Sequence, residues 1–449
     1  MIQYNNLNNK KVLILGFSTT GIAAAKYFAN KNANVFISEF NEKQEKFNDT
    51  IQELESLGVK IEFGGHSEEF INNAEFCILS PSIPNDAEIL KRLNEKNIKY
   101  FSDIEYLSFF EKEKIILITG TNGKTTTTAL VSHILSKKYN APYCGNIGIS
   151  PLEYMDKNVD FYSIEASSYQ LNYSETLAPK IGIFCNLTPD HILWHKSIEN
   201  YFEAKAKPFR NMNKEDNAIL NYDDDYTKKL GSEIKANVYY FSLNEQSIEN
   251  CIYLKNDKII FNNEEIININ ELQIVGSHNI QNAMCAIVTA KILGLSNDEI
   301  ITQLKSFKAI SHRLEYVRTI EETDYYNDSK ATNPEASIVA INSFVDKKVV
   351  LIAGGRDKKT TLADFIVAIK EKISKVILIG EATKRFRDEL SQSGYLNIVN
   401  SKTLEEAIDI ASLDKPDIVL LSPACASFDM FESYEKRGEA FKNYVLSKK

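Results

Sequence analysis

Short apolar runs that end in glycine and lead into stretches of helical period recur along this chain, an alternation that points to α/β architecture with largely parallel sheets. "KVLILG" (11–16), "KIILITG" (114–120) and "KKVVLIAGG" (347–355) each open such a series. At 449 residues, and with about 150 residues per domain as the prior, three domains are expected: 1–102, 103–309 and 310–449. The first is a small doubly wound, Rossmann-like unit, with a helix from Gly21 to about Lys31, then "NVFISEF" (34–40) and "FCILSPSIP" (76–84). The central block contains "FYSIEASSYQL", "IGIFCNLTPDH" and a β-rich stretch whose "KNDK" reads as a hairpin turn; it closes with a helix over 279–294. The third alternates again through "KVILIGEA" and "PDIVLLSPACAS", a second Rossmann-like unit.

Composition narrows the function classes. A net charge of -9 argues against a nucleic-acid surface, which needs clustered Lys and Arg. The six cysteines lack CxxC or CxH spacing, so neither a disulfide framework nor a zinc site is indicated. No apolar signal region opens the chain and no run of about 18 apolar residues occurs, so a cytoplasmic, monomeric enzyme without a membrane span is expected.

"TGTNGKTTTT" (119–128) follows an apolar strand and opens a helix, the context in which backbone N–H groups and a helix end meet an anion. The usual phosphate loop has four residues between its first glycine and Gly-Lys-Ser/Thr, whereas only Thr121 and Asn122 separate Gly120 from Gly123 here. Lys124 would reach terminal phosphates and Thr125 a metal ion. The bland alternative is a helix start capped by threonines. Glu165 and His191, at the ends of later strands, suit Mg²⁺ beside such a loop; alone, each reads equally as a helix-capping carboxylate and a loop histidine. His133 and His195 read as structural. In the first block "LGFSTTG", with Glu39 further on, only loosely resembles a dinucleotide fingerprint, because Ser18 replaces its middle glycine.

"TGTNGKTT" resembles the shortened phosphate loop of the Mur ligases and their folylpolyglutamate synthase relatives, ATP-dependent enzymes that join an amino acid to a carboxylate. "GNIG", "SIEASSYQL", "NLTPDH", "YFEAKAKPF", "GSHNIQNAMCA", "SHRLEYV", "NDSKATNP" and "SPACASFDMF" extend the likeness over about residues 11 to 441. Within the family, "DSKATNP" is similar to members that add D-glutamate to UDP-N-acetylmuramoyl-L-alanine in peptidoglycan synthesis, and "SPACASFD" supports the same choice.

The resemblance implies ATP and Mg²⁺ as cofactors. It assigns ATP to Gly120, Thr121, Asn122, Gly123, Lys124, Thr125 and Thr126, with Asn282 (and Asn279 nearby) at the adenine, Arg313 at the phosphates, Asp328 at the ribose and Lys330 near the γ-phosphate. Thr125 and Glu165 would hold one Mg²⁺ and His191 a second. Lys205 aligns with a lysine that relatives carry as a carbamate, formed with carbon dioxide; by composition alone it reads as a solvated helix lysine. Lys124, Glu165, His191, Lys205 and Lys330 form the implied catalytic set. D-glutamate maps to Thr332, Lys358 or its neighbour Lys359, Ser427 and Tyr434, which reads equally as a packed helix aromatic. Asn146 would face the muramoyl group, and the uridine end would sit near Thr19, Thr20, Gly21 and Ser80 of "SPSIP". His312 has no assignment. The chain departs from its relatives at Ser18, Ser38 and Ser82. Two rival readings are a folylpolyglutamate synthase and a nucleotide-binding regulator without turnover.

Overall fold

The computed structural model describes residues 6–274, 276–308, 311–344 and 346–448. Three sheets carry the chain. In the first, Lys11–Leu15 (β1), Asn34–Glu39 (β2), Lys60–Phe63 (β3), Phe76–Leu79 (β4) and Lys99–Phe101 (β5) lie all parallel in the order β3-β2-β1-β4-β5. The chain winds outward from β1 in one direction and then returns to its other side, which leaves a crevice at the ends of β1 and β4 where doubly wound sheets take ligands. Val12, Leu13, Ile14 and Leu15 are fully buried, as expected of strands covered on both faces.

The second sheet has nine strands: Ile115–Thr119 (β6), Tyr143–Gly145 (β7), Tyr162–Glu165 (β8), Ile181–Phe184 (β9), Asn217–Asn221 (β10), Asn237–Ser242 (β11), Cys251–Lys255 (β12), Lys258–Phe261 (β13) and Glu264–Asn268 (β14). Its order is β14-β13-β12-β11-β10-β9-β6-β8-β7, parallel except for the β12–β13 and β13–β14 pairs. The "KNDK" turn joins β12 to β13 through Asn256 and Asp257, both at positive φ. That geometry matches the right-handed twist of a tight hairpin, and Asn and Asp tolerate it. The closing helix spans Ser277–Ile292.

The third sheet pairs Glu315–Ile320 (β15) and Thr323–Asn327 (β16) antiparallel. Val349–Gly354 (β17), Ile373–Ile379 (β18), Ile398–Asn400 (β19) and Ile418–Leu421 (β20) complete the order β15-β16-β20-β17-β18-β19. The first two sheets belong to one compact unit, which runs to Ile269 and includes Gln281–Leu304; the third sheet belongs to another, formed by Asn270–Ile280 and the chain from Lys305 onward. Among the described residues no helix is long and apolar enough to cross a membrane.

Candidate active site

The loop after β6 is built by two glycines that no other residue replaces without strain. Gly120 (φ 148°) and Gly123 (φ 82°) both have positive φ. A Cβ on Gly120 would stand 3.0 Å from Cys185 Cβ, and one on Gly123 would stand 2.5 Å from Asn282 Oδ1. Asn186, at the end of the neighbouring β9, holds the short span between them. Its carbonyl accepts from Thr121 N at 2.9 Å, its Oδ1 accepts from Asn122 N at 2.9 Å, and its Nδ2 donates to Asn122 O at 3.2 Å. Thr121 Oγ1 donates to Thr188 O at 3.0 Å. The short loop is thus braced from the adjacent strand end.

Helix Lys124–Leu135 starts directly at Gly123, so its first-turn amides and positive end face the loop. Lys124 Nζ donates to Gly120 O at 2.9 Å and Thr121 O at 2.7 Å. Thr125 and Thr126 are buried. Thr127 Oγ1 donates to Asn282 Oδ1 at 3.0 Å, which ties helix Ser277–Ile292 to this loop.

Glu165 ends β8 beside β6 and is 3% exposed. Its Oε1 accepts from Asn146 Nδ2 at 2.8 Å, while its Oε2 is buried with no hydrogen-bond partner among the described residues. An orphaned buried carboxylate oxygen is costly unless a cation or proton satisfies it. Gly145 of "GNIG" (φ 93°) allows the close approach, since a Cβ there would collide with Glu165 O.

Lys205 lies on helix Ile198–Arg210 and is 1% exposed, so the solvated position suggested by composition is corrected to a buried one. Its Nζ donates to Gly120 O at 2.8 Å and Thr119 Oγ1 at 3.2 Å, and sits 4.8 Å from the centroid of the Tyr201 ring. Burial first, and the Lys124 ammonium second, hold its amine well below the usual lysine range. His191 is exposed at a left-handed helix start, with Nε2 3.3 Å from Asp190 Oδ2. His195, four residues on, is buried, with Nε2 2.9 Å from Ser168 Oγ and a pKa pushed down to about 4 by burial.

In the C-terminal unit Arg437 joins two loops. It is 1% exposed; Nε donates to Ser329 Oγ at 3.0 Å, and Nη2 donates to Ser329 O at 2.9 Å and Cys425 O at 3.0 Å. "DSK" and "ACAS" therefore hang on one guanidinium. Asp328 is buried; it accepts from Ser422 Oγ at 2.7 Å and Leu314 N at 3.2 Å, and burial pushes its pKa up to about 7. Lys330 Nζ donates to Tyr434 Oη at 2.9 Å. Ser427 is buried, and its Oγ has no hydrogen-bond partner among the described residues. Thr332 is half-buried, and Lys358 and Lys359 are exposed, Lys359 at φ 54°. His312 Nδ1 lies 3.0 Å from Asn327 Nδ2.

At the first sheet, a cavity of about 610 Å³ opens at the β1 and β4 ends. Ser80 lines it, with Gly16, Phe17 and Ser18, and Ser18 Oγ is 2.6 Å from Ser80 Oγ. Thr19, Thr20 and Gly21 are not among its lining residues; they open helix Thr19–Asn30, and Gly21 packs under the Gly16 carbonyl. Glu39 also lines the cavity, and its Oε2 accepts from Phe17 N at 2.7 Å.

Family models described as Mur ligase MurD-like N-terminal domain, Mur ligase middle domain, and Mur ligase glutamate ligase domain match residues 10–102, 118–290 and 312–425. A UDP-N-acetylmuramoylalanine--D-glutamate ligase of Thermoanaerobacter pseudethanolicus is 40% identical over 98% of each chain. The chain belongs to the Mur ligase family. A ligase of the same name from Caldicellulosiruptor bescii is 38% identical, again over 98% of each chain. The structure of UDP-N-acetylmuramate-alanine ligase MurC from Thermotoga maritima shares the fold, with a TM-score of 0.61 and 19% identity over 98% of this chain and 100% of that one.

Mur ligase membership implies ATP and Mg²⁺, and the residues present fit both. Among the described residues no three His, Cys, Asp or Glu side chains converge on a metal position. A cation beside Glu165 Oε2 would therefore take most of its oxygens from water, hydroxyl and phosphate, which is the habit of Mg²⁺. Asn186, Arg437 and the cavity residues Phe40, His66 and Arg92 escaped sequence reasoning. Asn186 stands inside the quoted "NLTPDH", so its motif was visible although its role was not.

Proposed function

We propose that this Mur ligase joins D-glutamate to UDP-N-acetylmuramoyl-L-alanine at the expense of ATP, in peptidoglycan synthesis. The observation that carries this reading is the likeness over 98% of both chains to ligases of that name. The L-alanyl carboxylate attacks the γ-phosphate of ATP to give an acyl phosphate and ADP; the D-glutamate amine then adds to the acyl carbon, and phosphate leaves as the amide forms. The first step brings two anions together, so cations govern it.

Lys124 at the phosphate loop and Lys330 in "DSK" would supply fixed positive charge. Thr125, Glu165 and His191 would hold Mg²⁺, which supplies charge neutralisation at the transferred phosphoryl group. Asn282 would meet adenine, Arg313 the phosphates and Asp328 the ribose. Asn146 would meet the muramoyl group, and Thr332, Lys358, Ser427 and Tyr434 the D-glutamate. The unpartnered Ser427 Oγ supports that last role, since a carboxylate would satisfy it.

Lys205 is proposed as a carbamate. A buried amine of lowered pKa is available in its neutral form; it adds to carbon dioxide and releases one proton, which turns the neutral amine into an anion near Glu165 and Lys124. The deciding experiment is phosphate release from ATP with UDP-N-acetylmuramoyl-L-alanine, comparing D-glutamate with L-glutamate and with folate acceptors. Turnover only with L-glutamate or a folate would sink this reading.

A further inference from the structure

The cavity at the first sheet carries more chemistry than the serine turn that opens it. Its lining includes Phe40, 72% exposed, His66, and the apolar Ile83, Pro84 and Ile89. Behind His66 lies Ser38, fully buried, whose Oγ stands 2.5 Å from Glu62 Oε1 and 2.6 Å from His66 Nδ1. Glu62 Oε1 also accepts from Ser67 N at 3.0 Å.

A hydroxyl has one proton to donate, and the closest charged acceptor is the Glu62 carboxylate. Ser38 then accepts from His66, so Nδ1 carries the ring proton and Nε2 is left as a lone-pair acceptor. Burial lowers the His66 pKa and Arg92 adds to that, against Glu62 and Glu39, so the ring is neutral near pH 7. Arg92 Nη1 donates to the His66 carbonyl at 2.8 Å and steadies the loop. The Phe40 ring lies 6.1 Å from the imidazole, tilted 42° to it.

We propose that His66 selects the base of the nucleotide-linked substrate: its Nε2 accepts the N3–H of uracil, while Phe40 offers the ring a stacking surface. The identity of that substrate rests on the D-glutamate ligase reading above. Uracil presents a donor at N3 where cytosine presents an acceptor, so an imidazole locked in this tautomer favours one base and opposes the other.

Equilibrium binding of UDP and of CDP to the full chain, beside phosphate release with the complete substrates, tests this. The unaltered protein should prefer UDP by about tenfold or more. His66→Ala should bring the two affinities within about threefold by weakening UDP, and Phe40→Ala should weaken both alike, about fivefold. Phe40 is exposed, so its replacement leaves the fold intact.

Equal binding of UDP and CDP, or a preference that survives His66→Ala, overturns the assignment; unchanged affinities in Phe40→Ala remove the stacking surface. A protein that discriminates the bases but releases no phosphate keeps the base site and loses the ligase reading. Release without discrimination does the reverse.

Discussion

Lys205 illustrates how burial changes a side chain's chemistry. A lysine amine at 1% exposure, with a second lysine near it, meets two oxygens among the described residues, Gly120 O and Thr119 Oγ1. The proposed carbamate would remove the unfavourable charge of its ammonium form and supply an anion. Lys205→Ala should lower the rate of phosphate release by about 100-fold or more, and Lys205→Glu or added short carboxylates should restore part of it. Labelled bicarbonate should give a carbamate carbon signal in the unaltered protein and none in Lys205→Ala; absence of both signal and rescue counts against the idea. Glu165→Gln keeps the bond to Asn146 but removes the charge that would hold a cation at the orphaned oxygen. It should raise the Mg²⁺ concentration needed for half-maximal phosphate release by about tenfold.

Strand, loop and helix from β6 to Leu135 work as one element because each glycine stands where a side chain has no room. Gly123→Ala combines a left-handed backbone with a clash against Asn282, at a cost of about 1–3 kcal/mol, and should weaken a fluorescent ATP analogue more than it lowers the melting temperature. Arg437 plays the comparable part in the C-terminal unit. Arg437→Met leaves the Ser329 and Cys425 carbonyls without their buried donor, a loss of about 2–4 kcal/mol, read by denaturant unfolding. Arg437→Lys should recover less than half, since one ammonium cannot reproduce the planar fork.

The loop glycines and Lys124 were legible in the sequence because their chemistry needs those residue types at adjacent positions. Lys205 was legible only through family likeness, since its burial depends on a strand and loop some 85 residues away. Asn186 bonds to backbone groups and Arg437 mostly so, and every residue carries those groups, so no pattern of side chains announces either. His66 and Phe40 sit on loops whose convergence is a property of the sheet order.

For the molecule as a whole, the alternation of apolar runs and helical stretches was sufficient to foresee three α/β blocks, and three sheets carry them. The described contacts group the first two sheets together, which periodicity alone does not reveal. Acid sensitivity belongs to this scale. His278 is half-buried, and burial with Arg313 pushes its pKa down to about 4 from 6.5. The folded state then binds fewer protons than the unfolded chain between those values, so stability is complete above pH 6.5 and falls as pH drops toward 4. His278→Gln should flatten that fall by on the order of 2 kcal/mol, measured by unfolding at pH 7 and pH 4.5; equal slopes would exclude the histidine as its source.

The nine-stranded sheet ends on two unlike edges, and both bear on whether a second copy could extend it. At one edge β7 has three residues, too few to template a foreign strand. At the other, β14 opens with Glu264 and Glu265, both exposed, and Glu265 pairs with Lys258 at 2.7 Å. A wide sheet rich in Ile and Phe would otherwise invite edge-to-edge growth. Exchanging both glutamates for threonine should leave catalysis in place and make the protein aggregate more than the unaltered chain as its concentration rises, read by light scattering.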